Sequence, residues 1–419
     1  MSHGSPMVGF SRTSDHSPTS LARWSILNQP LPARETIKTV HIYDFDNTLF
    51  MTPLPNSKIW TSPTLGFLQQ IECLANGGWW HDSRFLAATG KGLEIEEGRA
   101  WEGWWNEKIV SLVELSAKQK NALTILLTGR SVKGYSGLIQ RMIGSKNLDF
   151  EVVALKPEAG PNSEHLRSTI LFKCMFLEDV LNTYTDVEEI RVYEDRVKHV
   201  KSFEDFFVQY NASSLARNPG RKPPVAEVIQ VAEAAKCLDP TTELLVMQKV
   251  IFDHNTTLEQ RLGSNFTPLQ IKKTVFYTGY LLTPSTTSHL LKTLPIPNDN
   301  GLKLLGNSIL ITTRPASPQI LSKVGGLGNK VDWDVIGWGQ WENKVWAAIV
   351  KPANPDVAIY TETNQPMIVL ALRGRDTRPM DAHRIKNWQA LPSGQSLRIT
   401  TVVGEKLLLR IEENSPEGE

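Results

Sequence analysis

Two carboxylates, Asp44 and Asp46, stand two residues apart directly after Thr39-Val40-His41-Ile42-Tyr43, a run whose branched and aromatic residues read as a buried strand. Charge is unusual at such a place. In an open α/β sheet, ligands bind outside the carboxyl ends of the strands, so acids delivered there are candidates for chemistry rather than for solubility. Period-two alternation points both side chains the same way, within reach of one metal ion. The competing reading is a strand closed by a solvated turn, with Asn47-Thr48 making local backbone hydrogen bonds.

Three further signals follow in order. Ala122 to Leu127 is a second continuous apolar run, and it ends in Thr128-Gly129-Arg130, whose hydroxyl and backbone N–H groups suit phosphate oxygens. Phe150 to Leu155 reads as a third strand closed by Lys156-Pro157. From Ser168 a helix is expected, with Lys173 near its first turn, where a cation opposes the helix dipole unless a nearby anion needs it. That makes Lys173 a better partner than Lys156 for a phosphorylated carboxylate. Ile190 to Tyr193 is a short strand running into Glu194-Asp195-Arg196, again acid at a strand end. Strand and helix thus alternate from 36 to 207, which predicts a parallel sheet with helices on both faces.

Asp44-Phe45-Asp46-Asn47-Thr48, Thr128, Lys173 and Glu194-Asp195 in this order resemble the four motifs of the haloacid dehalogenase (HAD) superfamily of phosphatases. More narrowly, Leu127-Thr128-Gly129-Arg130, Phe172-Lys173 and Tyr193-Glu194-Asp195-Arg196 resemble the HAD domain of Swiss Army Knife RNA repair proteins. The resemblance implies a Rossmann-like fold and phosphomonoester hydrolysis through an aspartyl phosphate. It makes Asp44 the nucleophile and Asp46 the general acid and base, a role that calls for a carboxyl group titrating above its ordinary value. Thr128 and Lys173 would bind the phosphoryl oxygens. Asp44, the backbone carbonyl of Asp46 and an acid from the pair Glu194-Asp195, Asp195 preferred to Glu194, would hold Mg²⁺. Asn47, Thr48, Gly129 and Arg130 would lie against the substrate. RNA ends are the substrate class that this narrower resemblance implies. The alternatives are a small-metabolite phosphatase, or a nucleic-acid-binding or scaffold protein whose phosphatase domain is vestigial.

Between the first two strands, Pro53, Pro55 and Asn56 indicate an extended loop, and five of the twelve tryptophans crowd at Trp79, Trp80, Trp101, Trp104 and Trp105. They suit a small subdomain packed around large rings better than a platform for stacking bases, and the insert could close over the site. A net charge of +1 leaves no global field for nucleic acid, so any such binding needs a local patch. Three separated cysteines argue against a disulfide framework, and no run is long enough for a membrane span; both point to an intracellular protein, cytoplasmic or nuclear.

The expected organisation is a disordered leader over 1–35, a phosphatase domain over 36–210, a Pro/Gly-rich linker over 211–224 and an α+β domain over 225–419. In the last part a helix is expected from Val225 to Leu238 and strands at Leu244 to Phe252, Thr274 to Leu282, Lys303 to Thr313, Val345 to Lys351, Pro366 to Arg373, Leu397 to Val403 and Lys406 to Ile411. Ser308 to Thr312 and Met367 to Ala371 are similar in setting to the His-x-Thr strands of two-histidine phosphoesterases, but neither carries a histidine. The resemblance then implies a degenerate domain, with Ser308 and Met367 near the places of acid and base, left to bind nucleic acid or protein. His254 and His289 read as surface histidines, and Trp333, Trp338, Trp341 and Trp346 as packing.

Overall fold

A computed structural model describes residues 16–414 except 218, 234, 264, 300, 364, 375 and 392–396. The chain forms two compact units. The first runs to Gln270 apart from Lys58–Thr61, which belong with Ile271–Glu412 in the second.

The first unit is built on five parallel strands: β1 (Thr39–Tyr43), β2 (Ala122–Ser131), β3 (Val152–Lys156), β4 (Glu189–Glu194) and β5 (Val225–Gln230). Their order in the sheet is β3-β2-β1-β4-β5, so β1 is central. It pairs in register with β2, Tyr43 opposite Leu126, and with β4, Tyr43 opposite Tyr193. Both faces of the sheet are covered, which is why these strands read as unbroken apolar runs. On one face Val40, Ile42 and Ile125 pack with Phe172, Phe176 and Phe203 from helices Thr169–Thr183 and Val197–Arg217. On the other, Tyr43, Leu126 and Val153 pack with Val113, Tyr135 and Ile139 from helices Glu107–Ala117 and Val132–Ser145. No helix among the described residues is long and apolar enough to cross a membrane.

Several boundaries differ from expectation. Residues 1–15 of the leader lie outside the described residues, but the rest of it is structured. Pro18–Ala22 is a short helix capped by Ser17, Leu21 and Trp24 enter the core, and the Trp24 indole donates to Asp179 at 2.8 Å. Val225–Gln230 is not a helix but the fifth strand, paired in parallel with β4 from Glu189↔Val225 to Glu194↔Gln230. The first half of the expected linker is helix, the end of Val197–Arg217. Leu244 to Phe252 is not a strand: it lies inside helix Pro240–Leu262, which Asp239 caps by accepting from Thr241 and Thr242 and which buries Glu243, Met247, Val250, Ile251 and His254. The division between units therefore falls near residue 270 instead of 211–224.

The second unit is β-rich. Strands β6 (Leu269–Leu281), β8 (Ser308–Thr312), β9 (Lys330–Trp341), β10 (Val345–Pro352), β11 (Met367–Arg373) and β13 (Leu397–Glu413) follow the order β10-β11-β8-β6-β13-β9, and β9 also pairs with β10. That last pairing closes the sheet into a barrel and so removes its edges. The short strands β7 (Leu302–Leu304) and β12 (Trp388–Ala390) pair with β11 and β9. The unit is α+β as expected, with helices Pro284–Thr293 and Pro318–Lys323 among strands that close into a barrel. Strand β9 was not foreseen, and the two expected C-terminal strands are one. Trp333 and Trp346 are buried in the barrel core with Tyr280, Ile309 and Ile368, which agrees with packing.

Candidate active site

Asp44 leaves the end of the central strand with its backbone N–H donated to the Tyr193 carbonyl at 3.0 Å. The chain then turns sharply. Leu49 and Phe50 donate back to Phe45, and Asn47, at φ 60°, occupies the left-handed region that asparagine tolerates better than most residues. Phe45 and Phe50 stack at 5.4 Å beneath this turn and hold it against Trp105. The result is a set of polar side chains sealed at the carboxyl end of the sheet: Asp44, Asp46, Asn47, Thr48, Thr128, Arg130, Lys173 and Glu194 are all buried.

These groups divide into two sets. In the first, the Lys173 ammonium lies 2.5 Å from Asp44 Oδ1 and 2.7 Å from Glu194 Oε2. His199 Nδ1 is 3.3 Å from the same Glu194 oxygen, and Arg196 Nε is 3.7 Å from the other. Asp44, Glu194 and Asp195 each offer an oxygen within 4.8 Å of the others. Thr48 Oγ1 reaches Asp195 Oδ1 at 3.5 Å. Burial, reinforced by the charges of Glu194 and Asp46, outweighs Lys173 and pushes the Asp44 carboxyl up to about 8. Burial and the adjoining Glu194 likewise push Asp195 up to about 6. Burial would raise Glu194 too, but Lys173 and His199 together hold it well below the usual carboxylate range.

In the second set the Arg130 guanidinium grips Asp46, with Nε at 3.1 and 3.0 Å from its two oxygens and Nη2 at 2.7 Å from Oδ1. Thr52 donates to Oδ1 at 2.8 Å and Thr128 to Oδ2 at 3.4 Å. The Asp46 carboxylate is occupied by Arg130 and is not among the clustered acids, which leaves its backbone carbonyl as the expected metal ligand. One expectation is corrected: Asp46 does not titrate high, because burial would raise it but Arg130 and Thr52 prevail and hold it below the ordinary carboxylate value. Alternation in β1 gave the two aspartates a common direction, but the turn after Asp44 breaks the extended backbone and sends them to different partners.

Lys173 stands in the site, while Lys156 ends β3. Gly129 sits where an added Cβ would lie 2.5 Å from the Thr169 side chain, so a larger residue would push away the helix that carries Lys173. Arg130, expected against substrate, is buried and committed to Asp46. Thr52, Tyr135 and His199 were missed; none shows a spacing signal, because they converge from a loop and two helices. Trp79, Trp101 and Trp105 are buried in packing contacts, the Trp79 indole donating to the Pro53 carbonyl at 2.8 Å.

The donors fit a hard divalent cation. Asp44 Oδ2 is buried with no hydrogen-bond partner among the described residues, and it belongs to a cluster of oxygen ligands of the kind that Mg²⁺ prefers.

A parallel sheet that delivers an Asp-x-Asp pair at its central strand, with a threonine, a lysine and an acidic pair from its neighbours, defines a domain of the HAD type. Sequence comparison finds a similarity in the same direction: residues 52–256 match the model of HAD domain family 1 in Swiss Army Knife RNA repair proteins. The matched segment takes in Thr128, Lys173, Glu194 and Asp195 and begins just after the aspartate pair. An uncharacterized protein of Saccharomyces cerevisiae is 30% identical over 272 residues, which cover 62% of this chain and 53% of that protein. The chain thus spans about half the length of the curated relative it matches. No solved structure matches.

Proposed function

We propose that the first unit is a Mg²⁺-dependent phosphomonoesterase that acts through an aspartyl phosphate on Asp44, and that its substrates are phosphorylated RNA ends. One observation carries the mechanism: Asp44 is fixed at the end of the central strand with one oxygen on Lys173 and the other buried and unpartnered. Asp44, Glu194 and Asp195 would hold the ion, which supplies charge neutralisation for an incoming phosphate. Asp44 attacks phosphorus as the bond to the leaving oxygen breaks, and Asp46 gives that oxygen a proton. In the second half, water attacks the phosphoryl group, returns a proton to Asp46 and frees Asp44 and inorganic phosphate. Lys173 and the Thr128 hydroxyl neutralise and orient the phosphoryl oxygens, the electrostatic contribution on which phosphoryl transfer chiefly depends.

Asp46 is ionised while Arg130 holds it, so it first takes the proton that a phosphate monoanion brings and hands it to the leaving oxygen. It then serves again as the base of the second half and releases to solvent, as phosphate departs, the proton it gains from water. RNA as substrate is supported by the description of the matched family. The second unit, whose strands β8 and β11 pair at Ile309 and Ile368 and carry no histidine, is proposed to bind nucleic acid or protein without catalysis. The test measures phosphate release from an aryl phosphate, from RNA bearing 3′-phosphate, 5′-phosphate or 2′,3′-cyclic ends, and from sugar phosphates. Mg²⁺-dependent release that Asp44→Asn abolishes, fastest on RNA ends, is the expected result. Equal release by wild type and Asp44→Asn would overturn the mechanism, and faster turnover of sugar phosphates the substrate.

A further inference from the structure

Arg130 has more partners than a salt bridge needs. Besides Asp46, its Nη1 donates to the Trp80 main-chain carbonyl at 2.9 Å and to the Tyr135 hydroxyl at 2.8 Å, and that hydroxyl is itself 3.1 Å from the Trp80 carbonyl. Two rings flank the guanidinium, with its carbon 5.1 Å from the Trp80 ring centre and 4.8 Å from that of Tyr135. The group is 4% exposed. A planar guanidinium whose three nitrogens all donate and whose face is covered by aromatic rings has little freedom to rotate, and its fork transmits that order to the carboxylate it grips.

We infer that Arg130 is a positioning residue for Asp46 in the reaction proposed above, and that the tryptophan-rich insert completes its seat. The two sides of this seat come from different parts of the chain. Tyr135 projects from the helix that follows β2, whereas Trp80 belongs to the segment between β1 and β2. The Trp80 hydrogen bond is made by a backbone carbonyl and so reports where the insert's chain runs, while the Trp80 ring adds a contact of its own. The insert therefore helps to aim the group that moves the proton, in addition to any role as a cover. Asp46 carries no phosphate; it gives a proton to the departing oxygen and regains one from the attacking water. A poorly aimed Asp46 should thus hurt most where the departing oxygen most needs a proton. An alkoxide leaving from a sugar needs one, whereas a nitrophenolate leaves without.

The experiment uses the full chain with Mg²⁺ and compares 4-nitrophenyl phosphate with a nucleoside 3′-phosphate. Arg130→Lys keeps the charge and loses the fork. It is expected to lower kcat on the nucleoside phosphate by about 100-fold or more, in the range of general-acid contributions, with a loss at least tenfold smaller on the aryl ester and KM changed less than about twofold on both. Tyr135→Phe should show the same leaving-group pattern at smaller size, and added guanidinium should restore part of the rate in Arg130→Ala. Equal losses on the two esters, or losses confined to KM, would overturn the inference, because a merely structural arginine would not sort substrates by leaving group. Tyr135→Phe, which leaves the ion pair in place, keeps the question answerable if Arg130 variants fail to fold. Asp44→Asn separates the two readings. Activity that survives it defeats the proposed mechanism and this inference together; activity that it abolishes, with Arg130→Lys equally slow on both esters, defeats the inference alone.

Discussion

The Lys173 ammonium touches Asp44 at 2.5 Å and Glu194 at 2.7 Å, so one buried cation serves two buried carboxylates. Asp195 adds a third acid within 4.8 Å, and His199 Nδ1 and Arg196 Nε lie 3.3 and 3.7 Å from Glu194. Three clustered acids thus share one fully buried ammonium, a setting that suits a divalent ion. A cation that binds the native state and not the unfolded chain stabilises by mass action, so Mg²⁺ should raise the melting temperature in a concentration-dependent way, while Asp44→Asn should weaken that response. A melting temperature insensitive to Mg²⁺ at millimolar concentration would count against a metal site here.

Removing the shared cation should be costly. Lys173→Met takes from Asp44 its paired ammonium and leaves Glu194 only the longer contacts to His199 and Arg196, and breaking a buried pair in this way costs about 3–5 kcal/mol. Urea unfolding without metal should show a loss of that size, and Mg²⁺ should restore part of it, since the ion neutralises the same acids. A loss below about 1 kcal/mol, the range of exposed pairs, would mean that water reaches the triad.

The pH dependence follows from Asp44. Its carboxyl is pushed up to about 8 in the fold by burial, against an unfolded value near 3.8. The native state therefore holds a proton that the unfolded chain has released, and the contribution is present in full below 3.8 and lost as pH rises through 8. Metal-free protein should lose stability between about pH 5 and pH 8. Asp44→Asn cannot titrate and should flatten this slope, which denaturant midpoints at several pH values would show. A steeper slope in the variant would contradict the assignment.

Much of the site was legible because each motif closes a strand or opens a helix whose own pattern is strong. The Ala122–Leu127 run predicts where Thr128 must stand, and Ser168 as helix cap predicts the turn that carries Lys173. What local pattern could not reveal was pairing across the fold. Arg130 and Asp46 are 84 residues apart, and nothing near either one says that they meet. The misread stretch at 244–252 shows a different failure. Its apolar residues looked continuous, but Asp239-Pro240 with Glu243 is a helix start, and the buried Met247, Val250, Ile251 and His254 recur at helical spacing. In the sequence His254 reads as a surface residue, because its partner, the Ala75 backbone N–H at 3.0 Å, comes from the distant insert.

The tryptophans of the insert should behave as core. Trp101 is fully buried, and its indole donates to Thr89 Oγ1 at 3.0 Å. Trp101→Ala should therefore cost about 3–5 kcal/mol of stability, as large-to-small core changes do. At temperatures where the variant remains folded, affinity for single-stranded RNA should match wild type. A variant of normal stability with weakened RNA binding would restore the stacking platform as the better reading of these rings.

Opening a 2′,3′-cyclic phosphate by acid–base catalysis needs one group to take a proton while another gives one, and near neutral pH that task falls most readily to paired histidines. The second unit has His289 on helix Pro284–Thr293 and His383 in the turn Pro379–Arg384, where its ring nitrogen meets the Met380 carbonyl; neither lies on β8 or β11. On those strands Ser308 shares its hydroxyl with Asn307 at 3.3 Å, and Met367 has no proton to exchange. Full-length protein carrying Asp44→Asn should therefore leave an RNA 2′,3′-cyclic end intact over times in which wild type clears a terminal phosphate. If the variant opened the ring, and Ser308→Ala stopped it, the barrel would hold an activity of its own and its proposed role as a binding module would fall.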